Sequence, residues 1–386
     1  MRDLTQCRAD IDRVDNAILE LIKERLGIAV DIAQNKLNAG RPIVDKEREQ
    51  AKLAALCSRA EDIGIPPSMV SKLFRKIMDD TVSYEQTFVM QQCNDQSLER
   101  NTAIAYLGKT PGTYSHLAAM RFLQDFGGSK AFHGFSAFEE VISAVESGQC
   151  EYGVLPIENS SSGGINDVLD LLQLTKASIV GEVFYQIKHS VLALPGVSLS
   201  DIKTIYSHPQ PITQCSRWLK SELPDVSVVY TNSTSEAMQL VSQKGDRTCA
   251  AIACEDSAEL YHLTPLASDL ANNKRNFTRF IVISMTPVKV PAPLKAKTSL
   301  LFTTKKYTPG SLIAVLNEFS SRGLNLTKLN SRPREFAEAE TWEEIFLADI
   351  EANLDTALMQ EIIEHLKDLT GYLKILGCYP NQEHTK

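Results

Sequence analysis

Apolar residues recur at helical spacing along the N-terminal stretch. Read as a heptad from Leu4, the inward positions are Leu4, Cys7, Ile11, Val14, Ile18, Leu21, Arg25, Ile28, Ile32 and Asn35, which predicts one long helix over Leu4–Leu37. The run Asn38-Ala39-Gly40-Arg41-Pro42 breaks it. Gly64 with Pro66-Pro67 then separates two shorter helices, predicted over Asp45–Ala60 and Pro67–Gln91. Two short helices cannot cover so long a stripe, so a second copy of the chain is expected against it, giving a homodimer. One residue departs from the pattern. Arg25 puts a guanidinium into the seam, which costs several kcal/mol unless a carboxylate or an anionic ligand meets it.

Beyond a polar, patternless stretch at Gln91–Asn101, read as a linker, the pattern alternates strand and helix. Buried strands are predicted at Ala103–Leu107, Tyr152–Ile157, Thr204–Ser207, Val226–Tyr230, Ala250–Ala253 and Phe280–Met285. Amphipathic helices fall between them at Tyr114–Phe126, Ala137–Ser147, Ile165–Leu174 and Ile212–Leu223. This is an α/β pattern, and the return of the chain through Ser178–Leu194 suggests two lobes with a cleft between them. Pro287–Lys297, rich in proline and lysine, reads as a second linker. A βαββαβ unit of ferredoxin-like pattern follows, with elements at Thr298–Thr304, Gly310–Ser321, Asn325–Arg332, Trp342–Glu351, Asp355–Leu369 and Leu373–Tyr379. The chain is therefore expected to be multidomain: an all-α helical domain, a two-lobed α/β domain and a small ferredoxin-like domain.

Length agrees with this division, since 386 residues allow about two or three domains with their own cores. A net charge of -8 and a pI near 5.5 argue against a nucleic-acid partner, and leave the local cations for small anions. Eight cysteines, without a C-x-x-C pair or zinc-like spacing, predict reduced thiols and no metal. No segment is apolar enough to span a bilayer, and Met1–Asp10 lacks the apolar run of an export signal. A soluble, cytoplasmic chain with no membrane partner and no cofactor is expected.

Charges converge on the helical third. Arg25 and Lys36 are 11 residues apart, about three helical turns, and so share a face. Arg8 lies about 42 Å from Lys36 along the helix at 1.5 Å per residue. Antiparallel pairing of two copies about residue 18 would instead bring the partner's Arg8 level with residue 28, between Arg25 and Lys36. Asp45, Arg48 and Glu49 lie at i, i+3 and i+4, while Thr81 and Glu85 continue the apolar face of Val70, Phe74, Ile77 and Phe88. These residues alone fit either a structural ion-pair network, with Arg25 paired to Glu85, or a site for an anion. The set Arg8, Arg25, Lys36, Asp45, Arg48, Glu49 and Thr81, with Arg41-Pro42 in the turn, resembles the all-helical chorismate mutase family of enteric type.

That resemblance implies a chorismate site shared between two chains. The partner's Arg8 and Arg25 would hold carboxylates, and Lys36 the ether oxygen and a carboxylate. Asp45 and Glu49 would position the ring hydroxyl, with Arg48 and Thr81 in support. Arg25, Lys36, Glu49 and Glu85 are the implied catalytic groups. A pericyclic rearrangement needs no nucleophile, only a held chair and stabilisation of charge on the ether oxygen. Glu85 stands where relatives carry Gln, and must be protonated to donate, so mutase activity is expected to fall as pH rises.

In the α/β part, polar clusters sit where strands run into helices: Gly112–His116, Glu158–Gly164, Ser207–Gln210, Ser233–Ser235 and Asn276–Phe280. Each alone reads most simply as a helix cap or a turn. Together, with Asn276-Phe277-Thr278-Arg279-Phe280 as the most specific run, they resemble prephenate dehydratase from Thr102 to Met285. The resemblance implies Thr278 as the catalytic group that hydrogen-bonds the departing hydroxyl, with Arg279 and helix N-termini holding carboxylates. Thr113, Ser115, Asn159, Ser160, Ser161, His208, Gln210 and Ser235 would complete the prephenate site. His208 is either an acid or a structural histidine. The loop Gly108-Lys109-Thr110-Pro111-Gly112 is one residue longer than the family's usual turn.

Residues 298–379 resemble an ACT regulatory domain, with Gly310-Ser311-Leu312-Ile313 and Asn330-Ser331-Arg332-Pro333 at its motif positions. This implies phenylalanine as effector, at Gly310, Ser311, Leu312, Asn330, Ser331 and Arg332. The resemblances together imply a bifunctional enzyme of phenylalanine biosynthesis, taking chorismate through prephenate to phenylpyruvate, with domains at 1–92, 102–286 and 297–386. A non-catalytic amino-acid sensor explains the last two thirds of the chain, but leaves Arg25 and its companions without a task.

Overall fold

The computed structural model describes residues 3–94, 101–305, 309–334 and 343–382. Three helices open the chain: α1 (Leu4–Ala39), α2 (Lys46–Asp62) and α3 (Pro67–Cys93). Gly40 ends α1 in the left-handed region, at φ 62°, with its N–H returned to Leu37 O. Asp45 caps α2 by accepting from Arg48 N at 3.0 Å, and Pro67 occupies the first turn of α3. Within this unit α1 buries only Ala29 and Ala33. The predicted stripe stays outside, with Leu4 64 %, Ile11 60 %, Ile18 48 % and Leu21 63 % exposed. Residues 289–295, within the Pro287–Lys297 stretch read as a second linker, pack with this unit. Pro293 O accepts from Ile43 N at 3.1 Å, and Lys289 N donates to Asn94 Oδ1 at 2.7 Å.

The second unit begins with β1 (Thr102–Leu107), α4 (Tyr114–Phe122), β2 (Lys130–Phe135), α5 (Phe138–Glu146), β3 (Tyr152–Asn159), a two-residue β4 (Gly163–Gly164), α6 (Asn166–Leu174) and β5 (Ser178–Gln186). The chain then crosses to a second sheet through β6 (Ser190–Ala193), β7 (Thr204–Ser207), α7 (Pro209–Gln214), α8 (Ser216–Glu222), β8 (Ser227–Tyr230), α9 (Thr234–Lys244), β9 (Cys249–Ala253) and β10 (Thr264–Ala267). It returns to the first with β11 (Phe277–Ser284). The sheet orders are β2-β1-β3-β11-β5, with β4 on β3, and β10-β6-β9-β7-β8. Two lobes are thus present as expected.

Several elements differ from expectation. β2, β5, β6, β10 and α9 were not among the predicted elements, and the stretch expected as one helix over Ile212–Leu223 is interrupted at Cys215. The most consequential difference is that β11 starts at Phe277, not Phe280, so Thr278 and Arg279 lie inside a strand.

The C-terminal part folds as β12 (Ala296–Thr304), α10 (Ser311–Ser320), β13 (Leu326–Pro333), β14 (Glu344–Ile350), α11 (Ala357–Leu369) and β15 (Thr370–Pro380), in the antiparallel order β13-β14-β12-β15. This is the expected βαββαβ pattern; Trp342, placed in a strand from sequence, lies outside the described residues. β12 is buried along its length because both its faces are covered. Leu300 and Phe302 pack on the helices with Val315, Phe319, Ile362 and Leu366. Leu301, with Leu347, Leu376 and Tyr379, joins the core of the first lobe beside Leu155, Leu169 and Ile281. Each such aliphatic side chain contributes about 1.5–3 kcal/mol on burial. Gly377 permits a close approach here, because a Cβ on it would lie 2.1 Å from Ile179 O. The four-stranded sheet and the first lobe are one packed body. Among the described residues no helix is long and apolar enough to cross a membrane, and all eight cysteines are free.

Candidate active sites

In the helical unit, three helices bring Arg25, Lys36, Thr81, Glu85 and Glu49 together. Arg25 Nη1 donates to Thr81 Oγ1, which itself donates to Ile77 O at 2.6 Å. Lys36 Nζ donates to Ile43 O at 2.5 Å and lies 3.6 Å from Glu85 Oε2. The carboxylate therefore faces Lys36, not Arg25 as the ion-pair reading expects. Glu85 is buried, and its Oε2 has no hydrogen-bond partner. Burial raises its pKa above the usual carboxylate value, against the lowering pull of Lys36 and Arg25, and Glu49 adds to the rise. Glu49 is itself raised, by burial first and then by Asp79. Asp45 and Arg48 are exposed at the start of α2, where one Asp45 oxygen serves as the cap. Arg8 is exposed on α1, near its other end.

In the α/β unit, polar residues meet on the two stretches that cross between the sheets. Asn159 is the centre. Its Oδ1 accepts from Ser161 N and Ser162 N at 2.9 and 3.1 Å, and its amide donates to Thr278 Oγ1, Asn276 Oδ1 and Phe277 O at 2.9, 2.8 and 3.1 Å. Asn276 continues the chain to Gln214 Oε1 at 3.4 Å, and Gln214 to His189 Nε2 at 2.7 Å. Burial lowers the His189 pKa, partly countered by Gln214, so the ring is neutral and Nε2–H is the donor.

Gln214 and His189 lie outside the set expected from sequence. Gln210, which was in it, is exposed at the start of α7, while Gln214 sits one turn on and faces the site. His208 caps α7 through Nδ1, 3.3 Å from Gln210 N, and burial lowers its pKa, which leaves it a poor acid at neutral pH. Thr113 likewise caps α4, accepting from His116 N at 3.2 Å and donating to Leu107 O at 3.0 Å. Ser160 Oγ is engaged with Arg275 O and Phe277 N. Ser115 and Ser235 are buried at the starts of α4 and α9. Across the lobes, Ser235 Oγ lies 2.6 Å from Thr110 Oγ1, and Tyr261 OH donates to Pro111 O at 2.5 Å. The long loop thus ties the two lobes together.

Arg279 corrects an expectation. Adjacent strand residues face opposite ways, so Arg279 points away from Thr278 and into the C-terminal sheet. Its guanidinium meets Glu182 at 2.8 Å, Glu158 at 3.0 Å, Asp349 at 2.5 Å and Tyr379 OH at 2.9 Å. Lys297 joins Glu182 at 2.7 Å, and Lys328 joins Glu158 at 2.5 Å. Three cations and three carboxylates balance. Burial alone would raise the Glu158 pKa, but Lys328 and Arg279 hold it below the ordinary value. Two effector residues inferred from sequence also face this lobe. Arg332 binds Asp170 of α6 through two nitrogens at 2.9 and 2.5 Å, and Asn330 Nδ2 lies beside Gly164. Ser331, on the other face of β13, is exposed.

Cations around the buried Glu85 carboxyl in the helical unit, and a hydroxyl–amide cluster where the two α/β lobes meet, are two separate sets of groups suited to small anionic substrates, the class of a multifunctional enzyme. Family models agree: one described as chorismate mutase type II matches residues 7–86, and one described as prephenate dehydratase matches 104–287. The bifunctional chorismate mutase/prephenate dehydratase of Buchnera aphidicola (Schizaphis graminum) is 36 % identical over 383 residues, covering 99 % of this chain and 98 % of that protein. That of Escherichia coli K12 is 38 % identical over 379 residues, covering 98 % and 96 %. The chain belongs to the bifunctional chorismate mutase/prephenate dehydratase family, and it carries both enzyme activities of that branch of phenylalanine biosynthesis.

Solved structures resemble about three quarters of the chain. The prephenate dehydratase of Arthrobacter aurescens in complex with L-Phe is 26 % identical with a TM-score of 0.63, covering 72 % of this chain and 90 % of that one. The Staphylococcus aureus prephenate dehydratase is 28 % identical with a TM-score of 0.61, covering 72 % and 99 %. GqqA, described as a novel type of quorum quenching acylase, is 30 % identical with a TM-score of 0.64, covering 74 % and 100 %.

Proposed function

We propose that chorismate is rearranged between Arg25, Lys36 and Glu85, and that Thr278 stabilises the hydroxyl leaving prephenate. The observation that carries the mutase assignment is the buried Glu85 Oε2, which has no hydrogen bond and lies 3.6 Å from Lys36 Nζ. In the mutase step the ether C–O bond breaks as a C–C bond forms within one cyclic array, and negative charge gathers on the ether oxygen. Lys36 and a protonated Glu85 donate to it, while Arg25 holds a carboxylate. Glu49 and Asp45 position the ring hydroxyl, with Arg48 and Thr81 in support. The exposed α1 stripe supports a homodimer, in which the partner's Arg8 supplies a further cation.

In the dehydratase step the C–C bond to the ring carboxylate breaks, CO2 leaves and its electron pair enters the ring as the C–O bond breaks; the departing hydroxide is held by hydrogen bonding and takes one proton from solvent to become water. Thr278 Oγ1 already accepts from Asn159, so its own hydrogen is free for the leaving oxygen. Hydrogen bonding rather than full proton transfer fits a threonine. With Arg279 engaged elsewhere, the amide ends of α4 and α9, near Ser115 and Ser235, and Ser161 with Ser162 in the loop, are the groups we assign to the carboxylates. The cytosol is the compartment we infer, in keeping with eight free cysteines.

Assay of both reactions on one chain tests the assignment. Arg25→Ala is expected to lower mutase activity about tenfold to a hundredfold and to leave dehydratase activity intact. Ile18→Glu puts a carboxylate in the exposed stripe and is expected to lower mutase activity together with dimer content. A monomer with full mutase activity overturns the shared site.

We further infer phenylalanine binding in the C-terminal domain near the start of α10, at Gly310, Ser311 and Leu312, and at exposed Ser331. The L-Phe complex of the Arthrobacter protein supports this reading. Asn330 and Arg332 face the first lobe and serve as the link to it. Titration with phenylalanine is expected to inhibit the dehydratase at or below millimolar levels; no response leaves the domain structural.

A further inference from the structure

The register that sets Thr278 against Asn159 is not secured by the β3–β11 ladder alone. Arg279 opposes Glu158, but Phe280 opposes Pro156, so Ile157 is a bulge and the ladder is interrupted directly behind the pair. Both residues of the pair lie near the strand ends, where a ladder is weakest. On the opposite face of the same two strands, Arg279 Nη1 meets Glu158 Oε1 at 3.0 Å, one residue along from the Thr278–Asn159 contact. Glu158 Oε2 is held from β13 by Lys328 Nζ at 2.5 Å. Lys328 belongs to the C-terminal domain and touches none of the residues assigned to prephenate.

We propose that Glu158 is a positioning residue for the dehydratase, clamped between Arg279 and Lys328, so that the C-terminal sheet fixes the catalytic hydroxyl even before any effector binds. The inference rests on the reading of Thr278 given above. Loosening the clamp lets β3 shift against β11, and small misplacements of a catalytic group are enough to cost an order of magnitude or more in rate. Substrate contacts on the cleft side are unchanged, so kcat rather than KM carries the loss.

The test uses the full chain. Lys328→Met keeps the aliphatic stem and removes the charge. It is expected to lower dehydratase kcat about tenfold, with KM within about twofold and mutase activity unchanged; loss of the Lys328–Glu158 pair also lowers the unfolding midpoint, so kcat is read well below it, per folded enzyme. Lys328→Arg is expected to restore most of kcat. Glu158→Gln is expected to resemble Lys328→Met, and the double variant to lose little more than either alone, since both act through one link. Wild-type kcat in Lys328→Met, a kcat loss that vanishes once corrected for the folded fraction, or additive losses in the double variant each overturn the proposal. Thr278→Ala run beside them separates the two ideas: full activity there removes the underlying reading, whereas an inactive Thr278→Ala beside an unaffected Lys328→Met removes only the clamp.

Discussion

Thr278→Ala is expected to lower dehydratase kcat by about 10²–10³-fold, the usual effect of removing one donor aimed at developing charge. Mutase activity on the same chain should not change. The fold is expected to tolerate the substitution, because the Asn159 amide keeps Asn276 Oδ1 and Phe277 O as acceptors when Thr278 Oγ1 is gone. The imidazoles of this unit's polar clusters offer no ready acid: burial lowers the pKa of His116, His189 and His208, and each has a ring nitrogen already engaged. Thr278→Ser retains the hydroxyl and should retain most of the rate. Steady-state assay with prephenate decides it, and an alanine variant within about threefold of the parent would remove Thr278 from the chemistry.

Much of this architecture was legible in the sequence, and the failures have a common cause. The helical third shows a single long period bounded by Gly40 and Pro42, so both its helices and its uncovered stripe follow from spacing. The βαββαβ order is equally plain. What spacing cannot show is which way a residue faces when the start of its element is misplaced. With β11 begun at Phe280, Thr278 and Arg279 fall in a loop where both could address one ligand. Begun at Phe277, strand alternation sends them to opposite faces, and Arg279 becomes a tie to the C-terminal sheet.

The same error of one turn separates Gln210 from Gln214. α7 is capped by His208, so Gln210 lies in its first, outward turn, and only the residue four positions on returns to the lobe boundary. His189 carried no local signal, because Lys188-His189 sits in a crossing between sheets with no period of its own. The buried charges around Glu182 and Asp349 were invisible for another reason. Their partners come from segments far apart in the chain, and a carboxylate inside an apolar strand is not by itself evidence of a site.

The pH dependence of the mutase is the second large effect, and its sign follows from Glu85. A protonated Glu85 can donate to the ether oxygen, whereas an ionised one repels the charge developing there. Burial raises its pKa more strongly than Lys36 and Arg25 lower it, so the active, neutral form persists above the ordinary carboxylate range of about 4.3. Beyond that raised value, mutase kcat should fall about tenfold per pH unit, the slope of one essential proton. Glu85→Gln, which donates at every pH, should flatten the profile over the same window. Stability moves in the same direction. The folded chain holds this proton more tightly than the unfolded one, so the stability due to the neutral carboxyl is full below about 4.3 and is lost as pH rises through the raised pKa. Glu85→Gln should therefore also raise the unfolding midpoint of the helical unit at neutral pH relative to the parent. A parent enzyme whose mutase rate stays level through the pH at which the Glu85 carboxyl is itself seen to ionise would show that Glu85 does not act as the donor, and would leave Lys36 alone on the ether oxygen.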